Sequence, residues 1–290
     1  RLVNAEGDGL PGLNVDVYGD VVTVQITALG MKRLEDVVFD ALVTLLSPRA
    51  IYTVAAGGVS SREGFTTAPG IVRGGEVKEV RFLEHGVALS IDPEHGQKTG
   101  AFLDQRENHR RVGSLCAGAD VLDCYTYLGG FALQALAQGA RRATAIDMSP
   151  RAIERARQHA SWAGVTDRLD LVEADVFRWL EAAPARAFDV LIVDPPKFAP
   201  SKSTLDAALK GYRKLNAMAM SCAREGAILA TASCSQAVDV ETFERTLAAA
   251  AVDARRRITV LETMHQPADH PVPPGFTEGR YLKMLLLRVE

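Results

Sequence analysis

The sequence carries no excess of positive charge. Its 33 Lys and Arg residues stand against 36 Asp and Glu, a formal net charge of -3 over 290 residues. A basic footprint is the usual mark of a nucleic-acid binder, so any RNA contact must come from local patches. Cysteine is scarce as well. Cys116, Cys124, Cys222 and Cys234 form no C-x-x-C pair and have no histidine at metal spacing, which argues against zinc or another bound metal and against a disulfide framework. Reduced thiols in a cytoplasmic protein fit that usage. No apolar run approaches the roughly 20 residues of a membrane span, no signal peptide is visible, and no internal repeat occurs. The G-x-G-x-x-G of dinucleotide folds is also missing. What remains is a chain with 47% hydrophobic residues, enough for a real core, and a length that suits two domains. It opens on Arg rather than Met, and a preceding segment is expected.

Two patterns divide the chain. Residues 13–18 and 21–27 alternate as strands around Gly19-Asp20, a hairpin signal. Lys32 to Leu46 has helical spacing, Ile51 to Val54 reads as a strand, and Gly57 to Gly75 as mostly loop. Val77 to Leu83 and Val87 to Ile91 suggest a second hairpin, turning at His85-Gly86. Residues 1–92 are therefore expected to form a small α+β domain. Residues 93–290 then alternate between helix and strand. Helices are expected over 102–112, 131–138, 149–163, 176–182, 207–223 and 240–251, with strands over 120–123, 143–147, 169–172, 189–194 and 227–233. Such alternation demands a parallel sheet covered by helices on both faces. Runs at 258–263 and 281–289 have no helix between them and should pair antiparallel. The fold class is α/β, and its outline resembles the Rossmann-like sheet of class I methyltransferases.

FDVLIVDPPKF, residues 188–198, is the centre of that second region. Val190 to Val193 is too apolar for a half-exposed strand, and Asp194 stands where Pro195-Pro196 ends the ladder. Ligands of open α/β sheets bind outside the carboxyl ends of the strands. Asp123, Asp147, Asp175 and Asp194 stand at four successive strand tips. Asp147 follows Asp123 by 24 residues, an interval suited to a ribose-binding acid, although it could instead only cap a helix. Asp175 could hold an adenine amino group beside Val176, cap the next helix, or do both. Gly129 and Gly130 would let backbone approach a ligand before the helix opening at Phe131, or would make only a tight turn. An acidic crevice suits S-adenosylmethionine (SAM), which carries a sulfonium and an amino group.

Ser233-Cys234-Ser235 ends the next strand, so the thiol of Cys234 faces the same crevice as Asp194. A thiolate adding to carbon 6 of a pyrimidine turns carbon 5 into a nucleophile able to take a methyl group. The common fate of cysteine is a buried small hydrophobe. Cys116 and Cys222 keep that reading, and Cys124, inside the cofactor turn, is ambiguous.

HGQKTGAFLDQR (95–106), CYTYLGGFA (124–132), DPPKF (194–198), SCS (233–235) and ADHPV (268–272) occur together in one order. That set resembles bacterial large-subunit ribosomal RNA cytosine-C5 methyltransferases, a family with an N-terminal PUA-type domain that these residues do not include. The resemblance implies Cys234 as nucleophile and Asp194 at the cytosine edge. It implies SAM contacts from Phe102, Gln105, Arg106, Asp123, Tyr125, Tyr127, Gly129, Gly130, Phe131, Asp147, Met148, Asp175, Val176 and Asp194. Leu128 stands where the family is expected to carry a hydroxyl. Contacts to ribosomal RNA are expected from Lys197, Phe198 and His270, and from a basic strip containing Lys202, Lys210, Arg213 and Lys214, which could equally be a solvated helix face. Methylation of uracil C5, of an exocyclic amine, or a non-catalytic SAM-liganded RNA-binding module are the rival readings. Oligomeric state is not legible.

Overall fold

The structure is a computed structural model that describes residues 1–55, 63–93, 99–198 and 205–290. Part of the expected 57–75 loop, residues 95–98 of the HGQKTGAFLDQR motif, and Lys202 lie outside the described residues. The chain divides into two compact units, Arg1–Asp104 with Pro267–Gly279, and Gln105–Gln266 with Arg280–Glu290.

The first unit holds a five-stranded sheet in the order β1 (Val3–Asn4), β2 (Leu13–Tyr18), β3 (Val21–Ile26), β4 (Ala50–Thr53) and β5 (Gly70–Gly74). The 2–3 hairpin forms as its alternation requires, with Leu13, Val15, Val22, Val24 and Ile26 all turned inward. The single parallel pairing, β3 with β4, is bridged by helix, as parallel strands require. That helical run is broken into α1 (Leu29–Lys32) and α2 (Glu35–Leu46), and Phe39 and Leu42 of α2 close the core. β5 corrects the loop expected there. Its glycines disguise a strand, but Gly74 has φ +84° and lies so close to Arg49 that a Cβ would come within 2.1 Å of the Arg49 carbonyl oxygen. β6 (Val80–Glu84) and β7 (Val87–Ile91) pair around His85 and Gly86, at φ +47° and +86°. Two positive φ values in sequence match the two-residue turn whose twist suits a hairpin.

The second unit begins at Gln105, the last residue of a 3-10 turn (Leu103–Gln105) that leads into α3 (Arg106–Gly113), so the helix expected from Phe102 starts four residues later. Then follow β8 (Asp120–Cys124), α4 (Gly130–Ala137), β9 (Arg142–Asp147), α5 (Pro150–Trp162), β10 (Leu169–Glu173), α6 (Val176–Ala182) and β11 (Phe188–Val193). α7 (Leu205–Cys222), β12 (Ala223–Ser233), α8 (Val240–Asp253), β13 (Ile258–Met264) and β14 (Lys283–Val289) complete it. The seven strands lie in the order β10-β9-β8-β11-β12-β14-β13. All neighbours are parallel except β14, which runs antiparallel to both β12 and β13. This is the Rossmann-like sheet with an antiparallel final strand.

The apolar run of β11 is explained by its place. It is central, with Leu191, Ile192 and Val193 at 0% exposure. Tyr212, Leu215 and Met220 of α7 and Phe243 and Leu247 of α8 pack into the same core. The strand order reverses between β8 and β11, because the chain runs outward through β9 and β10 and then returns to the other side of β8. A crevice outside the carboxyl ends of the strands opens at such a reversal. Val193 pairs with Cys124 there, which sets the Asp194 and Cys124 loops side by side. Among the described residues no helix is long and apolar enough to cross a membrane.

Candidate active site

Pro195 and Pro196 have no amide hydrogen to continue the β11 ladder, so the chain leaves the sheet at Asp194 with its carboxylate at the reversal point. Oδ2 of Asp194 accepts a hydrogen bond from Gln105 Nε2 at 2.8 Å. Gln105 is 3% exposed, and its Oε1 accepts from Asn108 Nδ2 at 2.6 Å. Asn108 therefore fixes which end of the Gln105 amide faces Asp194. The Gln105 amide thus meets Asp194 Oδ2 as donor to acceptor.

The turn between β8 and α4 is unusual in its backbone. Tyr125 and Tyr127 have φ +67° and +48°, left-handed values that bulky residues rarely take and that cluster at functional sites. Main-chain bonds hold them there, from Thr126 N to the Ile146 carbonyl at 2.9 Å and from Gly129 N to the Thr126 carbonyl at 2.8 Å. Gly129 caps α4 at φ +84°, and a Cβ on Gly130 would come within 2.5 Å of His109 Cε1. His109 also stacks edge-on against Phe131, with ring centroids 4.3 Å apart. The glycines thus pack helix against ring as well as bending the chain.

Asp123 differs from the other three acids. It is fully buried, and its Oδ2 accepts from Thr126 Oγ1 at 2.6 Å and from Ala132 N at 3.1 Å. Its Oδ1 is buried with no hydrogen-bond partner. Desolvation pushes its carboxyl up to about 6 despite those bonds. In this structure Asp123 braces the turn from beneath instead of projecting from the strand tip.

Asp147 ends β9 half-buried. Its Oδ2 accepts from Tyr127 N and its Oδ1 from Ser149 N, both at 2.9 Å. Each oxygen retains a second lone pair, so the pair can also receive two vicinal hydroxyls. Met148, beside it, is 73% exposed, an apolar surface where a flat ring could lie. Ser149 caps α5 as expected, accepting from Ala152 N at 3.3 Å with Pro150 in the first turn. Asp175 caps α6, its Oδ1 accepting from Arg178 N at 3.0 Å, and is exposed, while Val176 behind it is buried. The strained turn, the exposed Met148 and the two outward acids fit a nucleoside with a cationic tail.

Cys234 lies one residue past the end of β12 and is partly exposed. Its neighbours are tied to a single phenol. Ser233 Oγ donates to Tyr212 Oη at 3.0 Å, and Tyr212 Oη shares a hydrogen bond with Ser235 Oγ at 3.2 Å. Tyr212 also packs against Phe198 of the DPPKF loop, centroids 4.8 Å apart, and Phe198 against Phe177 at 6.4 Å. Gly211 makes room, since a Cβ there would stand 3.3 Å from Phe198. The other thiols are buried. Burial drives Cys124 well above the ordinary thiol value, Cys116 up to about 12 and Cys222 up to about 11. Cys124, at the end of β8, is 0% exposed and carries no nucleophile's environment.

The basic strip is less bare than its sequence suggests. Arg213 forms a two-pronged pair with Asp253 at 2.6 and 2.7 Å, and Lys214 pairs with Glu181 at 3.2 Å while standing 5.6 Å over the Phe177 ring. Lys197 and Lys210 are exposed. Arg106 reaches Glu107 at 3.3 Å. Phe102 and His270 belong to the first unit, where His270 is buried with Nδ1 2.9 Å from Asp269 Oδ1. Burial, and then Arg1, hold the His270 imidazole below its ordinary value.

Sequence reasoning overlooked Asn108, His109, Tyr212 and Lys283. The last had a visible signal, a lone lysine heading the apolar run MLLL. A cleft of about 540 Å³ opens at the opposite end of the strands, beside Asp120, Arg141, Arg142 and Phe188. Its Arg141 is paired with Asp120 and its Arg142 with Asp170, and it lies away from the converging acids. Among the described residues no group of His, Cys, Asp and Glu could hold a metal ion.

The S-adenosylmethionine-dependent methyltransferase family model matches residues 62–272. Ribosomal RNA large subunit methyltransferase I of Shewanella frigidimarina is 37% identical over 293 residues, 100% of this chain and 74% of its own. The protein of that name from Aeromonas hydrophila is 38% identical, over 99% of this chain and 74% of its own. Among solved structures, one described as a methyltransferase complexed with SAH has a TM-score of 0.85 at 23% identity, covering 99% of this chain and 74% of that one, a likeness of fold. This chain belongs to the S-adenosylmethionine-dependent methyltransferase family, and SAM is its cofactor.

Proposed function

We propose that this protein forms 5-methylcytosine in large-subunit ribosomal RNA, with Cys234 as a covalent nucleophile. The observation that carries the reading is a partly exposed thiol at the tip of β12, held by Tyr212 through both of its neighbours, beside the Asp194 tip of β11. The names of the relatives in Shewanella and Aeromonas supply the class of RNA.

The base must leave its stack to enter such a crevice. Asp194 accepts from the amino group on carbon 4 of cytosine, a donor that uracil lacks. With Gln105 holding the carboxylate as an acceptor, that contact favours cytosine. The Cys234 thiolate adds to carbon 6, and the electron pair of the 5,6 double bond makes carbon 5 nucleophilic. SAM supplies an electrophilic methyl group on a sulfonium. Once carbon 5 is methylated, loss of its proton and expulsion of the thiolate restore the ring.

Asp147 would bind the ribose hydroxyls, Asp175 the adenine amino group and Met148 the adenine face. Gly129 and Gly130, with Tyr125, Tyr127 and Phe131, shape the turn beneath. Lys197, Phe198, Lys210, Arg213 and Lys214 would meet the RNA backbone near the target. Ribosomal RNA from cells lacking the protein, digested and read by mass spectrometry, should lack one 5-methylcytidine that the restored gene returns. Loss of a 5-methyluridine or an N-methylated base instead would replace the cytosine-C5 reading.

A further inference from the structure

The thiol chemistry leaves one buried cation beside Cys234 without a role. Lys283 opens β14 directly opposite Ser233 in the antiparallel pairing, so it stands at the same end of the sheet as Asp194. It is 2% exposed, and lysine is almost never so buried without a partner. Its Nζ donates to the Ser235 carbonyl at 2.7 Å and to the Val238 carbonyl. Both acceptors are neutral, and a desolvated ammonium held by carbonyls still calls for a counter-charge.

The charged and titratable groups acting on it are Cys234, Asp239 at the start of α8, and Lys197 of the DPPKF loop. Burial is the main cause that brings the lysine down to about 8, with Cys234 and Asp239 opposing it and Lys197 adding a smaller lowering. It therefore stays charged at neutral pH. Asp239 is exposed and already receives Thr242 N at 2.7 Å as the cap of α8. Cys234 lies between Ser233, which Lys283 faces, and Ser235, whose carbonyl it binds.

We propose that Lys283 is a positioning residue for Cys234, pinning the turn that follows it through the Ser235 and Val238 carbonyls and supplying the positive charge against which the thiol ionises. The inference rests on Cys234 as the nucleophile. On ionisation the S–H bond breaks, the electron pair stays on sulfur and the proton passes to water, while Lys283 keeps its own three protons. A nearby opposite charge lowers such a group by about 1–3 pH units, enough to turn a few per cent of thiolate at neutral pH into a substantial fraction.

The test is the pH dependence of iodoacetamide alkylation at Cys234, read by peptide mass spectrometry on the whole chain without RNA. The wild-type midpoint should lie below that of an ordinary thiol. Lys283→Gln, which can still donate to a carbonyl but has no charge, should raise it by about one unit or more, and Lys283→Arg should restore much of the difference. The pH optimum of methyl transfer should move upward in Lys283→Gln along with the midpoint. An unchanged midpoint in folded Lys283→Gln would overturn the inference. So would a wild-type midpoint at or above the ordinary thiol value, which needs no variant to fold. Methyl transfer surviving in Cys234→Ala would instead remove the nucleophile reading, and the alkylation profile is read independently of it.

Discussion

Gln105 Nε2 donates to Asp194 Oδ2 at 2.8 Å, and Asn108, bound to the other end of the same amide, prevents it from turning. The first turn of the second unit is thereby fastened to the acid at the tip of its central strand. Family resemblance places Gln105 on the cofactor, whereas its bond in the structure is to the acid proposed to read the base.

Gln105→Leu separates those roles. A hydrogen bond to a charged group contributes about 1.5–3 kcal/mol, so kcat/KM for RNA should fall roughly 10- to 150-fold if Gln105 serves Asp194. SAH affinity, measured by calorimetry, should stay within about twofold. A large loss of SAH affinity with little change in kcat/KM at saturating cofactor would return Gln105 to the cofactor.

Asp147→Ala tests the ribose site. Two backbone donors, Tyr127 N and Ser149 N, lose their acceptor along with the proposed hydroxyl contacts. SAM and SAH binding should weaken by about 1–3 kcal/mol, and NAD should not bind at all. Unchanged calorimetric affinity for both ligands would displace the ribose from this strand.

Much of this frame is legible in the sequence because local rules and tertiary structure agree there. α6 runs from Val176 to Ala182 as its Asp175 cap foretells, and the VLIV run of β11 is central because nothing in it tolerates water. The strand-tip positions of Asp147, Asp194 and Cys234 follow from the same alternation. What stays hidden depends on side-chain direction and distant partners. Asp123 has the sequence of a strand-tip acid, yet Thr126 and the Ala132 amide draw it inward. Arg213 looks unpaired until α8 brings Asp253 beside it. β5 is obscured by its own glycines, and the burial of Lys283 depends on a partner strand 50 residues away, at Ser233.

Asp123 should leave a mark on stability. Its carboxyl sits at about 6 folded, against the ordinary 3.8, so the native state binds the extra proton between those values. Stability from this group is present at about pH 4 and is lost as pH rises through about 6, a change on the order of 3 kcal/mol. Asp123→Asn keeps an acceptor for Thr126 and Ala132 without the charge. Urea midpoints of the variant should gain on wild type as pH rises from 4 to 7, and a constant difference across that range would refute the assignment.

The strip on α7 should act through phosphates. Exposed ion pairs such as Arg213–Asp253 and Lys214–Glu181 contribute little by themselves, so RNA phosphates can compete for these cations. Replacing Lys210, Arg213 and Lys214 together with Ala should weaken RNA binding and flatten its dependence on salt, with SAH affinity unchanged. A salt slope equal to wild type would make the strip a solvated helix face.

The most direct measurement of the central claim uses RNA with 5-fluorocytosine at the methylated position. Fluorine cannot depart as the proton does, so the Cys234 sulfur should remain bonded to carbon 6 after methyl transfer. Wild-type protein with SAM should yield an RNA adduct stable to denaturant, with peptide mass spectrometry placing the bond at Cys234. Cys234→Ala should form no adduct and transfer no methyl group while binding SAH as wild type does. Methylation by Cys234→Ala, or turnover of the fluorinated RNA without an adduct, would contradict covalent catalysis by this thiol.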